Sequence, residues 1–190
     1  MHDDRKFPTP GYSCRKRAHA TATLNAREKG VYTYIMSAKP PSQLDVATAA
    51  VIGRSCLFLG LRRADRAAMQ IYDKALRPCG LRATQFGLLV ALRVLAPVSV
   101  SELAAQTVMD RTTLTRNLAP LERGGLVRVA PGKDRRVRMV SLTARGQRAL
   151  ARAYPSWRDA QTRARSLLGK KLSKSLVAQL HAAVQALASD

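Results

Sequence analysis

The chain has 190 residues, with 33 Lys and Arg against 12 Asp and Glu, a formal net charge of +21. Its apolar share of 46% excludes wholesale disorder, and an aromatic share of only 5% points to a core of Leu, Ala and Val, as packed helices supply. So large a cationic surplus attracts polyanions, either nucleic acid or an anionic membrane. The apolar run from Phe86 to Leu92 falls far short of the ~20 residues that span a bilayer. Asp3, Asp4, Arg5 and Lys6 at the N-terminus are not a secretory signal. Three cysteines (Cys14, Cys56, Cys79) form no CxxC pair and no even framework, the usage of a reducing cytoplasm.

Residues 1–40 mix Pro8, Pro10, Gly11, Gly30, Pro40 and Pro41 with scattered charge and no sustained period, so a disordered basic tail is expected. Met36 offers an alternative start that would leave residues 1–35 outside the mature protein. Order is expected from Pro41 onward, with Ser42 as a helix cap and Asp45 as its acidic partner. Leu57, Leu61, Ala64, Ala68, Ile71 and Ala75 recur at spacings of four and three, a stripe suited to packing on another long helix. Pro78 and Gly80 end it.

A second helix starts at Thr84 as its cap, carries Phe86, Leu88, Leu89 and Leu92, and stops before Pro97. Ser99 and Glu102 form a capping box for a short third helix through Gln106, with Val98 and Leu103 as its hydrophobic staple. After a turn over 107–109, Asp110 caps a fourth helix that runs to Gly124-Gly125. Two β-runs follow, Leu126 to Val129 and Val137 to Leu142, joined by a loop with Pro131 and Gly132 as turn residues. Thr143 caps a fifth helix striped by Leu150, Ala153, Trp157, Ala160, Ala164 and Leu167 and bent at Pro155. Ser173 caps a last helix striped by Leu176, Leu180, Val184 and Leu187.

The expected fold is mainly α with a small β-hairpin wing: a winged helix-turn-helix domain flanked by long dimerisation helices. The divisions are 1–40 for the tail, 41–80 for the N-terminal dimerisation helix, 81–142 for the DNA-binding region and 143–190 for the C-terminal dimerisation helices. The terminal stripes find no obvious partner inside so small a central domain, so the same helices of a second copy are their simplest cover.

At 100° per residue, Leu114, Leu118 and Leu121 of the fourth helix face inward. Thr112, Arg116, Ala119 and Arg123 face outward, with Thr113 and Thr115 to either side and Arg111 at the start. Hydroxyls, small side chains and cations on one face suit a major groove: Arg bonds guanine bidentately, and Ala or Thr touches thymine methyls. Taken alone this face is equally an ordinary solvated one. The hairpin shifts that balance, because Lys133, Arg135, Arg136 and Arg138, with Asp134 the single acid among them, form a cationic tip directly after helix-turn-helix. Such a tip reads as a wing reaching an adjacent minor groove.

Three stretches carry a family resemblance: Asp110-Arg-Thr-Thr-Leu-Thr-Arg-Asn-Leu-Ala-Pro-Leu-Glu-Arg-Gly-Gly-Leu-Val, then Lys133-Asp134-Arg135-Arg136, then Val140-Ser-Leu-Thr-Ala-Arg-Gly146. With them, residues from about 55 to 188 resemble the MarR family of bacterial regulators. The resemblance implies that Asp134 orients basic side chains of the wing and that Arg136 enters the minor groove. It implies that Tyr72 to Leu81 ends the first dimerisation helix. It also implies a dimeric repressor that leaves its DNA when a small anionic or phenolic effector binds between the dimer helices and the winged helix. Tyr72, Tyr154 and Trp157 are candidates to border that pocket, although aromatic residues at helical spacing also serve as core.

Other members sense oxidants through a cysteine near the start of the first helix, which makes Cys56 a candidate redox residue. Cys56 stands one or two residues out of that register, and the competing reading is a small hydrophobe packed on the first helix. No HExxH, phosphate-binding Gly-rich loop or nucleophile elbow occurs, so no enzymatic activity, cofactor or metal is expected. The expected function is sequence-specific binding of double-stranded DNA by a cytoplasmic homodimer. The alternatives are a non-specific architectural protein held by charge alone, or a peroxide sensor acting through Cys56.

Overall fold

The computed structural model describes residues 44–188, so the expectations for the tail, Ser42 and Cys14 lie outside the described residues. The chain divides into two units, the first ending at Cys56 and the second beginning at Leu57.

The described part of the first unit is helix α1 (Val46–Ser55). Asp45 is its cap, not the acidic partner of a cap at Ser42, and its carboxylate accepts from the Thr48 N–H at 2.6 Å. Helix is not continuous through residues 41–80. Cys56 takes extended backbone (φ −70°, ψ 115°) and ends α1. No proline forces this break. Gly53 and Ser55 are weak helix formers, and the Ser55 hydroxyl donates back to the Val51 carbonyl at 2.8 Å, a bond that favours a helix end.

The second unit runs α2 (Leu57–Leu76), a 3₁₀ turn (Arg77–Cys79), α3 (Ala83–Leu95), β1 (Val98–Ser99), α4 (Val100–Gln106), α5 (Arg111–Arg123), β2 (Val127–Pro131), β3 (Arg138–Leu142), α6 (Ala144–Leu168) and α7 (Lys170–Ala188). Gly80 closes the 3₁₀ turn in the left-handed region (φ 72°), where glycine carries no steric penalty. Helix α3 starts one residue before the expected Thr84 cap, because other groups serve its first amides. The Asp73 carboxylate, from α2, accepts from the Ala83 N–H at 2.6 Å, and the Gln85 side chain accepts from the Arg82 N–H at 2.9 Å. Tertiary contact thus replaces a local cap. Ser99 accepts from the Glu102 N–H at 3.1 Å, the half of the capping box that the structure shows.

Val98 and Ser99 also form a strand, which local pattern conceals because two residues carry no period. The sheet has three antiparallel strands in the order β1-β3-β2, with Val98 opposite Val140 and Val129 opposite Val140 on the other side. Pro131 is the last residue of β2, opposite Arg138, and not a turn residue. An edge position tolerates its missing N–H. The last helix begins at Lys170 with Ser173 already inside it; the Ser173 N–H donates to the Gly169 carbonyl at 3.0 Å.

Leu76, Leu88, Leu89, Leu92, Leu103, Leu114, Leu121, Val98 and Val140 are almost fully buried. They come from α2, α3, α4, α5, β1 and β3, so one core joins the end of the first long helix to all parts of the winged helix. Each such side chain contributes roughly 1.5–3 kcal/mol by leaving water. Phe86 of α3 stacks on Trp157 of α6 with ring centroids 6.1 Å apart, extending the core onto the second long helix. Helix α7 buries none of its side chains, and the α2 residues Leu57, Phe58 and Leu61 are exposed.

A close backbone approach joins the wing base to α6. Thr143 caps α6, accepting from the Gly146 N–H at 3.0 Å, while its hydroxyl donates to the Gly125 carbonyl at 2.7 Å. A Cβ on Gly146 would stand 2.0 Å from the Leu126 carbonyl oxygen, inside any permissible contact. Gly146→Ala should therefore lower stability by roughly 2–4 kcal/mol, a core overpacking penalty against rigid backbone. By contrast Gly87→Ala, in mid-helix with open space at its Cβ, should raise it by about 0.5–1 kcal/mol. Thermal unfolding of the two variants checks the pair; equal effects would refute the Gly146 contact.

Candidate nucleic-acid interface

Helix α5 is anchored by Leu114, Leu118 and Leu121, all buried, as its 100° spacing requires. Its N-terminus is held by Asp110, whose carboxylate accepts from the Thr113 N–H at 2.8 Å. The side chain and backbone of Thr113 keep the Asp110 carboxyl below the usual carboxylate range. A lowered pKa means the charged cap is present at neutral pH and is lost as pH falls through the folded-state value. Residues Thr107–Met109 turn the chain between α4 and α5, with Val108 in the left-handed region at φ 51°. That conformation is costly for a β-branched residue, by about 1–3 kcal/mol.

Opposite the leucines, Arg111, Thr112, Thr115, Arg116 and Arg123 are exposed, while Thr113 and Ala119 are half-buried. The Thr115 hydroxyl donates to the Arg111 carbonyl at 2.7 Å, so it presents acceptor lone pairs outward rather than its proton. Pro120 lies inside the helix and supplies no N–H to the Arg116 carbonyl, yet α5 continues to Arg123. The helix closes by the Leu126 N–H on the Leu121 carbonyl at 2.9 Å, with Gly125 left-handed at φ 66°.

The β2–β3 hairpin then carries its cations to a loop of six residues, 132–137. The Gly132 N–H donates to the Val137 carbonyl at 2.8 Å, and the Val137 N–H to the Asp134 carbonyl at 2.9 Å. Asp134 accepts from the backbone N–H of Arg136 at 2.9 Å. Its carboxylate thus shapes the turn through the main chain, whereas the resemblance implied bonds to basic side chains. Lys133, Arg135, Arg136 and Arg138 are all exposed. Arg128, exposed on β2 opposite Ser141, is a further cation of the wing that the sequence reading left out. Alternation along Val127-Arg128-Val129, buried then exposed, was the available signal.

Of the three aromatic candidates, the structure brings Tyr72 and Trp157 together in a groove of about 290 Å³, with Phe86 and Val90 on its walls. Tyr154 does not line it; its ring stacks on Trp157 at 5.9 Å and is 54% exposed. The Tyr72 hydroxyl donates to the Gln161 side chain. Burial pushes the Tyr72 phenol up, and the nearby Arg165 charge opposes that rise. Cys56 is half-exposed at the end of α1 and is not on a helix, and its thiol is free. Cys79 meets Ser156, with Sγ and Oγ 3.4 Å apart. Among the described residues, no three metal-ligating side chains converge and no helix is long and apolar enough to cross a membrane.

A profile of the MarR family matches residues 80–137, the span from Gly80 through α5 to the wing loop. An uncharacterised HTH-type transcriptional regulator of Bacillus cereus is 30% identical over 101 residues, covering 53% of this chain and 67% of that protein. Among solved structures, the Mycobacterium tuberculosis transcriptional regulator MosR in complex with DNA is 42% identical. That match covers 70% of this chain and 98% of MosR, with a TM-score of 0.60. The transcriptional repressor CouR, bound to a 23-mer DNA duplex, is 25% identical with a TM-score of 0.63, over 75% of this chain and 99% of CouR. With the family match over its helix-turn-helix and wing and this likeness along the flanking helices, the chain belongs to the MarR family of winged-helix transcriptional regulators.

Proposed function

We propose that the protein is a homodimeric repressor that binds a pseudo-palindromic operator, with α5 in the major groove and the wing in the adjacent minor groove. The observation that carries this reading is the pairing of two surfaces. The exposed face of α5 offers Thr112, Arg116 and Arg123, and a cationic loop follows it, both fixed to one core. MosR and CouR, solved with DNA, support it. Arg111, Thr113 and Thr115 complete the base-reading face, and Lys133, Arg135, Arg136 and Arg138 the wing. A dimer places two such faces about one helical turn apart and favours its operator over random DNA by on the order of 10³-fold. The rival reading, binding by charge alone, predicts no such preference.

Arg116→Ala should cost roughly 1–3 kcal/mol on the operator and much less on scrambled DNA. Arg136→Ala should weaken both, lowering the salt slope by about one phosphate equivalent. Asp134→Ala should resemble a milder Arg136→Ala, since it releases the turn without removing the arginine. Titration against both duplexes at two salt concentrations decides this, and equal losses for Arg116→Ala would move base reading to the threonines.

Dimerisation is assigned to the helical segments at 41–80 and 143–190, because the apolar stripes of α2 and α7 are largely uncovered among the described residues. Light scattering should report about twice 20.8 kDa; a monomer that still binds a palindrome tightly would refute the assignment.

Release is assigned to a small anionic or phenolic effector in the Tyr72–Trp157 groove, whose walls are apolar and whose polar groups are few. A peroxide switch at Cys56 is the alternative trigger. Cys56→Ser should leave DNA affinity and the response to hydroperoxide unchanged. Peroxide release that vanishes in this variant would establish the redox reading instead.

A further inference from the structure

The turn between α4 and α5 carries two departures at one residue. Among the described residues, Val108 is the only non-glycine in the left-handed region, at φ 51°. It is also the one large apolar side chain from α4 through α5 that stays exposed, at 61%. The turn has a bond pattern that ends many helices: the Val108 N–H donates to the Ala105 carbonyl at 3.1 Å and the Met109 N–H to the Ala104 carbonyl at 2.9 Å. Glycine ordinarily fills the left-handed position of that pattern, because a Cβ there crowds the neighbouring backbone. Met109 packs against the core and Asp110 caps α5, so the chain is held on both sides of residue 108. The valine therefore strains the backbone and gains no burial in return.

We infer that Val108 is a specificity-determining residue of the DNA interface, where its methyl groups meet a thymine methyl at the edge of the major groove. This assignment rests on the operator reading above, which sets the N-terminal end of α5 against base edges. Val108 precedes the Asp110 cap by two residues, so it stands at that same end of α5, on the chain leading into the exposed Arg111 and Thr112. Those neighbours are a cation and a hydroxyl, which read hydrogen-bonding atoms and phosphates. The C5 methyl of thymine is the one apolar group that a base pair presents in the major groove, and a branched hydrocarbon is its chemical match. A β-branched side chain is stiff at χ1, so little freedom is left to lose when the contact forms. Glycine at this position would relieve the strain but present nothing to a base. Residue 108 lies in none of the segments assigned to dimerisation, so a second copy of the chain is not called on to cover it.

Fluorescence anisotropy of the full chain tests this, on the duplex that the wild type selects from a random pool and on copies in which uracil replaces thymine, which deletes only the methyl. The wild type should lose about fourfold for one contacted methyl and about fifteenfold when both half-sites lack it, as the burial of single methyl-sized groups predicts. Val108→Gly and Val108→Asn, both tolerated in the left-handed region, should lose at least as much on the unmodified duplex and be indifferent to uracil at that position. Val108→Ile should keep both the affinity and the uracil response. Relief of strain should meanwhile raise the Tm of Val108→Gly by about 2–4 °C. Wild-type affinity in Val108→Gly, or a uracil response that persists in it, would overturn the assignment. So would equal losses on selected and random duplexes, which mark a backbone contact, and a lowered Tm, which would show that the side chain supports the fold. Failure of the operator reading looks different: the wild type then selects no sequence from the pool, and the assignment falls with it.

Discussion

The close approach of α6 to the wing base at Gly146 and Leu126 is the constraint on which the rest of this molecule depends. Leu126 ends α5 through its N–H on the Leu121 carbonyl. Its carbonyl accepts from the N–H of Thr143, and it leaves no room for a side chain at residue 146. Helix α5, the β2–β3 hairpin and α6 therefore meet within a few residues and in main-chain contact. Backbone groups have no rotamers to absorb a displacement, so this contact fixes the angle of α6 against α5 and the hairpin.

The same coupling continues at the opposite end of the winged helix. Asp73 of α2 caps α3, and Phe86 of α3 stacks on Trp157 of α6. The groove beside these residues is bounded by α2, α3 and α6 together. Tyr72 adds a polar end to an otherwise apolar groove, with Gln161 as its partner and Arg165 nearby. The charge excess on α6 and α7 is of a different kind. It lies on helices whose apolar positions are largely uncovered, which sets their cationic surface apart from that of the wing.

What the sequence by itself determined is the set of features with local causes. The leucines of α5 repeat at helical spacing and are buried, the Asp110, Ser99 and Thr143 caps accept from the amides three residues on, and Gly125 takes the left-handed position after α5. Each follows from chain geometry within one or two turns, and the cationic tip after helix-turn-helix was legible for the same reason. Tertiary structure alone decided the others. Strand β1 exists because Val98 finds Val140 across more than forty residues, and Pro131 joins β2 because an edge tolerates its missing N–H. Asp73, ten residues away, starts α3 in place of Thr84. Tyr72 and Trp157 meet while Tyr154 stays outside, because only the packing of α2 against α6 selects which rings face each other. Periodicity states which residues share a face of one helix, but the partner of that face is set by contacts distant in the chain.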